Sequence, residues 1–425
     1  MSRILAYRDP PGPSLVGLPT RICARIRELE VFMRQTTLQS TPLSPGRSFR
    51  HPIGQAGAAV LFFTLVACGG GSSDAPTTPP PPPVPTVFKV SNLVSDQATA
   101  GATTTDTNLV NPWGLAYGPT TDFWVANQGT ATTTVYDGLG RTPTIPITIS
   151  NPAVPGHPMG GPTGVVFNGS TAFLGDEFLL ASLDGCICGW SAGTVTTRRV
   201  DNSGTQAVYT GLATGTVGTT AYLYAANFTS GTIDVFDGSF ASVNLGAGAL
   251  VDPNLPAGYA PFNVQVLAGK LYVTYAMRTG AALRETTGAG LGQVSVFNLD
   301  GSFVRRVSTG GALNAPWGLA LAPASFGPYG GALLVGNFGD GRITAFDATT
   351  GAPLGQISGA GNAPLVVPGL WAMTFGNDAN AGYANQLYVT AGPQSEAHGL
   401  FATISFGVPG TGGGTGGGVG GGYGY

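Results

Sequence analysis

Short apolar segments alternate with turn-forming residues through most of the chain. The segments at 123–127 and 223–227 are typical, and as a set they are rich in Val, Tyr, Phe and Thr. Asp-Gly pairs follow several of them, as at 137–138, 237–238 and 300–301. β-branched and aromatic residues favour strands, and Asp-Gly pairs favour the tight turns of hairpins. The pattern predicts an all-β domain of antiparallel strands.

Three landmarks recur in a fixed order along these segments. The first is Pro-x-Gly-Leu-Ala, which is clearest at 112–116 and 316–320, with weaker copies beginning at Gly161, Tyr209, Ala260 and Trp371. The second is similar to Val-Ala-Asn, as at 125–127, and the third to Val-Phe-Asp, as at 235–237. The units repeat about every fifty residues, which is the spacing of propeller blades.

Six such units predict a six-bladed β-propeller over residues 87–408. One blade cannot bury both faces of its sheet, so the ring of blades supplies the core. We expect the N-terminal segment 87–94 to close the ring by pairing with the last blade after 400–406. A β-sandwich or a solenoid is the alternative, but the fixed order of the landmarks favours the propeller.

The order of the landmarks also resembles NHL repeats. Over 88–407 the chain resembles a family of secreted bacterial propellers related to them, for which no activity is established. The stretches that carry this resemblance are 92–96, 108–114, 225–228, 256–263, 334–341 and 398–401. The resemblance implies a six-bladed fold and says nothing of a ligand.

The N-terminal part of the chain differs in charge from the rest. Residues 1–68 hold eight Arg and three acidic residues, whereas the remainder holds ten basic and eighteen acidic residues. Basic residues at 47–51 precede the apolar run 56–67, which ends at Cys68 and is too short to span a bilayer. The last four residues, 65–68, resemble the lipobox of bacterial lipoproteins, which implies that Cys68 is lipidated. Ordinary secretion with a chance cysteine is the alternative.

These features divide the chain into four parts. Residues 1–67 are expected to be a leader and lipoprotein signal peptide, with Met33 as an alternative start, and residues 68–86 a Gly- and Pro-rich tether. The propeller follows, and the Gly-rich tail 409–425 is expected to be disordered. Similarity to Gram-negative lipoproteins, with Gly69 after the cysteine, implies an outer-membrane anchor facing the periplasm or the cell surface.

Composition limits the classes of function. Only 9% of residues are charged, and 18 Lys and Arg stand against 21 Asp and Glu, which argues against a nucleic-acid partner. We expect a monomer held by its lipid anchor, with a protein or glycan as partner and no cofactor. The sequence contains no nucleophile elbow or phosphate loop in a strand-turn-helix context.

The residue before the glycine of the first landmark is the main candidate for ligand contact at the channel mouth. Rigid aromatic faces there could stack on a sugar or a peptide, or plug the channel. A lactonase-type propeller would instead need several oxygen ligands for a divalent metal. The six positions, in blade order, are Trp113, Thr163, Thr210, Phe262, Trp317 and Trp371.

Other candidate residues carry weaker predictions. Asn127, Asn227 and Asn337 occupy equivalent positions and form either a ligand-binding ring of amides or turn caps. Cys186 and Cys188 are too far apart along a strand for an unstrained disulfide and form only a weak zinc site with the histidines at 157 and 398. A Glu396–His398 acid/base pair is considered against a plain surface loop, and the 277–292 connection either contacts a partner or is solvated.

These observations predict an exported lipoprotein whose propeller is a non-catalytic binding platform, with no catalytic residues and no metal. The alternative is a metal-dependent hydrolase or lactonase of the gluconolactonase type, a class that shares the six-bladed fold.

Overall fold

The computed structural model describes residues 87–407, apart from 144–147, 156 and 158–159 and the side chains of 148 and 149. The predictions made for the leader, Cys68, the tether and the glycine-rich tail lie outside the described residues. Within the described part, no helix has the length and apolar character needed to cross a membrane.

Twenty-four strands account for almost all of the regular structure described. β1 (Val87–Ser95) and β2 (Thr104–Thr105) come first. Blade one contains β3 (Pro112–Ala116), β4 (Phe123–Asn127), β5 (Thr132–Tyr136) and β6 (Thr148–Ser150), and blade two contains β7 (Pro162–Phe167), β8 (Phe178–Ser182), β9 (Cys186–Trp190) and β10 (Thr197–Asp201). Blade three contains β11 (Tyr209–Val217), β12 (Thr220–Asn227) and β13 (Thr232–Asp237).

The remaining strands follow the same plan. Blade four contains β14 (Tyr259–Leu267), β15 (Lys270–Met277), β16 (Gln293–Phe297) and β17 (Phe303–Thr309). Blade five contains β18 (Pro316–Leu321), β19 (Leu333–Asn337), β20 (Ile343–Phe346) and β21 (Pro353–Gln356), and blade six contains β22 (Leu370–Phe375), β23 (Leu387–Ala391) and β24 (Leu400–Gly407). Single-turn 3-10 helices lie at Ala98–Ala100, Gln128–Thr130, Phe173–Gly175, Ser203–Thr205, Gly327–Tyr329 and Ala360–Asn362.

The first strand of each blade is innermost, and the strands of each sheet pair antiparallel except for the short parallel pairing of β2 with β1. Adjacent inner strands contact one another around the ring, β3 with β7, β7 with β11, and so on until β22 returns to β3. The predicted six-bladed β-propeller is therefore confirmed. β1 and β2 join β22, β23 and β24 in the sheet of blade six, so blade three is the one blade whose sheet holds only three strands in the part of the chain described here.

The ring closes through the N-terminal strand, as the sequence predicts. β1 pairs antiparallel with β24 from Val87 opposite Gly407 to Ser95 opposite Leu400. The ring of Phe88 packs at 4.9 Å from Phe406 and at 5.0 Å from Phe326, so this strand also contributes to the core between blades five and six. Because the outer strand of blade six comes from the opposite end of the domain, the first and last blades are locked together.

Glycines in the inner strands allow the blades to approach closely near the axis. A Cβ added at Gly114 would lie 2.3 Å from the carbonyl oxygen of Thr163 in blade two. A Cβ added at Gly318 would lie 2.5 Å from the carbonyl oxygen of Trp371 in blade six. The glycine of the Pro-x-Gly landmark is therefore required by contact between neighbouring inner strands.

Candidate functional site

A β-bulge interrupts every inner strand at the first landmark. In blade one the ladder runs from Pro112 opposite Asn127 to Leu115 opposite Val125, so two residues of β3 face one residue of β4. The other five inner strands shift register at the equivalent place. A bulged residue leaves the ladder and its side chain is re-aimed. The bulges lie at the six predicted channel positions, Trp113, Thr163, Thr210, Phe262, Trp317 and Trp371.

The aromatic members of this set meet at the axis. Trp113 stacks on Trp371 with ring centroids 3.6 Å apart, and Trp317 stands edge-on to both at 6.1 and 5.9 Å. The ring centroid of Phe262 lies 6.2 Å from that of Trp113 and 5.9 Å from that of Trp371. Phe338 stacks on Trp371 with centroids 4.0 Å apart. We call this cluster the aromatic plug. All four bulge aromatics are buried, so the plug fills this end of the channel with side chains.

The two threonines of the set are buried beside the plug and already have hydrogen-bond partners. The hydroxyl of Thr163 donates to the carbonyl oxygen of Tyr209 at 2.7 Å, and that of Thr210 lies 3.4 Å from the carbonyl oxygen of Ala226. The indole Nε1 of Trp317 donates to the carbonyl oxygen of Thr210 at 2.9 Å. The Thr163 bond joins blades two and three, the Thr210 contact lies within blade three, and the Trp317 bond joins blades five and three across the axis.

The 277–292 connection of blade four covers the plug with a cation. The guanidinium of Arg284 lies 5.1 Å from the ring centre of Trp113 and 5.9 Å from that of Trp371, within the range of cation–π attraction. Arg284 also binds two carboxylates, Glu285 at 3.0 Å and Glu396 at 2.6 Å. This side chain is only 32% exposed, so the interpretation of 277–292 as a solvated loop does not hold at Arg284.

The charge of Arg284 is fixed by these partners. Burial by itself lowers the pKa of a guanidinium, but hydrogen bonds to Glu396 and Glu285 outweigh burial and raise the pKa of Arg284 above its usual value. Glu396 is linked in turn to the plug through Asn111, whose Nδ2 donates to Glu396 at 3.1 Å and whose Oδ1 accepts from Trp371 Nε1 at 2.9 Å. The plug, the cation and both carboxylates thus form one connected cluster.

The opposite end of the channel is open. A cavity of about 310 Å³ lies between the distal halves of the inner strands, with Trp317 of the plug in its wall. Its walls include Leu115 to Tyr117 of blade one, Val165 to Phe167 of blade two, Leu212 to Thr214 of blade three, Asn263 to Val266 of blade four and Ala372 to Thr374 of blade six. This volume is at the small end of the range for small-molecule sites. The channel is therefore a blind cavity, closed at one end and accessible from the other.

The side chains at the plug do not suit the divalent metal of a lactonase-type propeller. A hard cation requires several oxygen ligands, preferably carboxylates. The bulge positions instead supply four aromatic rings and two hydroxyls, and the nearby Glu396 and Glu285 are bound to Arg284. Within the described ranges, no group of three or more His, Cys, Asp or Glu side chains is placed to hold a metal ion.

The three equivalent asparagines lie at the ends of β4, β12 and β19, each beside an inner-strand bulge. Asn227 accepts from the backbone N–H of Ser230 at 3.3 Å and donates to Asp234 at 2.9 Å, while Asn337 accepts from the N–H of Asn314 at 3.1 Å. Asn127 donates to the hydroxyl of Thr134 at 2.9 Å, and its buried Oδ1 has no partner among the described residues. These hydrogen bonds go to neighbouring strands and turns, while a role of the three asparagines toward a ligand stays a prediction.

The other candidate residues, the two cysteines, Glu396 and His398, do not come together in one site. Cys186 and Cys188 are buried and free, and burial raises the pKa of the Cys188 thiol to about 11. Glu396 and His398, considered as an acid/base pair, have separate partners: Glu396 binds Arg284, and His398 Nδ1 lies 2.7 Å from Asp96, which follows β1. Sequence reasoning missed the Arg284–Glu396 contact, since no local motif links two connections that meet across the ring.

Comparison with known proteins gives relatives but no named activity. No family model matches the chain. "Uncharacterized protein R648" of Acanthamoeba polyphaga mimivirus is 34% identical over 339 residues, covering 75% of this chain and 80% of that protein. "Uncharacterized protein L690" of the same virus is 33% identical over 306 residues, covering 67% and 77%. These viral relatives do not confirm the resemblance to secreted bacterial propellers.

Among solved structures, a structural genomics protein of unknown function from Bacteroides thetaiotaomicron VPI-5482 is 10% identical, with a TM-score of 0.48 and 76% of each chain covered. A streptogramin B lyase is 12% identical, with a TM-score of 0.45 and coverage of 76% of this chain and 98% of that one. On the strength of the sequence relatives, the chain belongs to the family that includes the mimivirus proteins R648 and L690.

Proposed function

We propose that this protein is an exported, lipid-anchored β-propeller that binds a ligand without transforming it. The observation that carries the binding role is the asymmetry of the channel: the aromatic plug closes one end, and a cavity of about 310 Å³ opens at the other. Loops and channel mouths on a rigid propeller are the usual places for ligand contact. The inner strands that form the cavity are held by the ring, so the site is preformed.

The non-catalytic part of the proposal rests on the side chains available in the cavity. The residues lining it in the described part of the chain include no Asp, Glu, His, Lys, Cys or Arg that could serve as an acid, base or nucleophile. The one ionisable group there is the phenol of Tyr117, whose pKa is raised by burial, against the opposing effect of its hydrogen bond with Thr374. Its hydroxyl donates to the carbonyl oxygen of Phe375 at 2.7 Å.

Export and anchoring are proposed from the sequence preceding the propeller. Basic residues, a short apolar run and a small-residue site end at Cys68, and the Gly- and Pro-rich segment 69–86 would hold the domain away from a membrane surface. Palmitate labelling of the full chain in a Gram-negative host tests this directly. We expect labelling that Cys68→Ala abolishes; labelling that persists in the variant would overturn the lipid anchor at Cys68.

The binding role is tested by blocking the cavity. Thr214→Trp adds a large side chain to the cavity wall, while Leu354→Trp places the same side chain at a position that is 51% exposed on the outer strand of blade five. A thermal-shift screen of small molecules is run on the full chain and on both variants. We expect compounds that stabilise the native chain and Leu354→Trp but not Thr214→Trp, and that are recovered unaltered.

Two results would contradict the proposal. If no compound distinguishes Thr214→Trp from Leu354→Trp, the cavity is not a binding site. If a compound is converted to product at a rate that Thr214→Trp abolishes, the channel is catalytic.

A further inference from the structure

We infer that the open channel cavity selects an uncharged molecule with several hydroxyl groups, that is, a small neutral saccharide. This inference rests on the proposed binding role and names the chemistry of the ligand for the same cavity. It draws on three independent properties of the wall: its charge, its hydrogen-bonding groups and its aromatic surface.

The wall carries no formal charge. Among the described residues that line the cavity, the side chains are apolar, hydroxyl or amide groups, with no carboxylate, ammonium, guanidinium or imidazole. A charged ligand would lose its hydration inside the ring without gaining an ion pair, which costs several kcal/mol. A neutral ligand avoids that loss.

The hydrogen-bonding groups of the wall include both donors and acceptors. β3, β7, β11, β14, β18 and β22 stand at the end of their sheets, so each presents one edge of N–H and C=O groups to the axis with no further strand beyond it. Hydroxyl groups both donate and accept, and so match an edge on which the two alternate. A ligand that only donates or only accepts would leave half of these groups unpaired.

Two polar side chains in the wall are also available. No described residue hydrogen-bonds the amide of Gln265 or the hydroxyl of Thr214, and both side chains are half-buried. Asn263, by contrast, already donates to the carbonyl oxygen of Trp317 at 2.9 Å. Gln265 and Thr214 are therefore the side chains we assign to direct contact with ligand hydroxyls.

Aromatic rings contribute the third property. Tyr117 of blade one and Phe167 of blade two are half-buried in the wall, and the buried Trp317 of the plug also lines it. The apolar face of a sugar ring packs on flat aromatic surfaces of this kind, while its rim of hydroxyls meets polar groups. A cavity of about 310 Å³ accommodates one or two such rings.

The experiment compares neutral sugars with their charged analogues. Binding of glucose, galactose, mannose and N-acetylglucosamine to the full chain is measured by calorimetry, alongside glucuronate and glucosamine, which keep the pyranose ring of glucose and add a charge. We expect at least one neutral sugar to bind, with the matching charged analogue at least tenfold weaker. Gln265→Leu and Thr214→Val should each weaken binding about five- to tenfold, the loss expected for one neutral hydrogen bond.

The control is Thr197→Val, which makes the same change as Thr214→Val at an exposed position of β10. It should leave the affinity unchanged, and the melting temperature of every variant is recorded to show that it folds. Equal affinity in Gln265→Leu, Thr214→Val and Thr197→Val would overturn the assignment of these contacts.

The binding role of the cavity and its preference for a saccharide are distinguished by different results. The saccharide inference is wrong, and the binding role stands, if every neutral sugar has a Kd above about 10 mM while other compounds bind the native chain and not Thr214→Trp. If Thr214→Trp binds every compound that the native chain binds, the saccharide inference and the binding role are both wrong.

Discussion

Arg284 and Glu396 are separated by 112 residues in sequence, yet their side chains meet above the aromatic plug with Nη2–Oε1 and Nη1–Oε2 distances of 2.6 and 3.0 Å. The first belongs to the long connection within blade four and the second to the loop before β24 in blade six. Because blades four and six are not neighbours, this ion pair is a clamp across the axis, and it holds the cation over Trp113 and Trp371.

Removing the clamp should destabilise the fold. In Arg284→Met the aliphatic packing is largely kept, but Glu285, whose side chain is 4% exposed, and Glu396 lose their cation. We expect a loss of about 3 kcal/mol in unfolding free energy, the cost of breaking a buried ion pair by removing one partner. Urea denaturation followed by tryptophan fluorescence measures it.

The matched control for this clamp is Arg198→Met. Arg198 is about as exposed as Arg284, but its partner Asp201, at 3.4 Å, is 41% exposed, whereas Glu285 and Glu396 are 4% and 21% exposed. An exposed pair of this kind contributes little, so the change should stay within about 0.5 kcal/mol. Equal effects of Arg284→Met and Arg198→Met would show that the clamp has no special role.

The inner-strand glycines should tolerate no side chain. Gly114→Ala forces a methyl group to within 2.3 Å of the Thr163 carbonyl, so blades one and two must separate. We expect a loss of about 2–3 kcal/mol, typical of overpacking in a rigid core. Gly204→Ala, whose added Cβ has nothing within 4 Å, should be neutral, and thermal unfolding of the two variants compares them. A neutral Gly114→Ala would mean that the bulge geometry is not set by blade contact.

The repeat predicts much of this architecture, because each blade carries its own periodic landmarks. Convergence of Trp113, Trp317 and Trp371 also follows from the sequence, since equivalent positions of a ring meet at its axis. The clamp does not follow, because Arg284 and Glu396 lie in connections of irregular length that match no repeat. The cavity does not follow either, because the free edges of the inner strands supply backbone groups to it, and backbone groups leave no trace in side-chain patterns.

Loss of the closing strand should open the ring. A chain that starts at Asn108 lacks β1, which pairs with β24 along its length and buries Phe88 against blade five. Strand edges and an apolar interface would then be exposed, and each blade is marginal without its neighbours. We expect this chain to be insoluble or to melt far below one that starts at Thr86. Indistinguishable melting temperatures would contradict closure through the N-terminal strand.

Stability should depend on a buried carboxylate, Asp252, in the connection between blades three and four. Burial opposes ionisation of Asp252, but hydrogen bonds from Arg306 at 2.8 Å and Ser295 at 2.6 Å prevail and lower its pKa. Because the pKa of Asp252 is lower in the folded state, its ionised carboxylate stabilises the protein at pH values above the ordinary carboxyl pKa. That stability is lost as the pH falls through the folded-state pKa. Asp252→Asn should therefore cost about 3 kcal/mol at pH 7 and show a shallower decline below about pH 4.

The comparison for Asp252 is Asp300→Asn. The pKa of Asp300 is also lowered, chiefly by its hydrogen bonds with Ser302, but it lies in an exposed turn. We expect Asp300→Asn to change the unfolding free energy only slightly, both at pH 7 and below about pH 4. Parallel stability–pH curves for the native chain and Asp252→Asn would refute the role assigned to the Asp252–Arg306 pair.

The position of bound ligand along the channel tests the central claim most directly. The chain has five tryptophans. Trp317 is the plug tryptophan that also lines the cavity, Trp113 and Trp371 are the plug tryptophans beneath Arg284, and Trp124 and Trp190 lie between blades one and two. Fluorine NMR of protein labelled with 5-fluorotryptophan reports on all five at once, with each resonance assigned by a Trp→Phe variant. Adding a compound that stabilises the protein should move the Trp317 resonance most. Larger shifts at Trp113 and Trp371 would instead place the ligand at the clamped end, and would contradict a channel that binds from its open side.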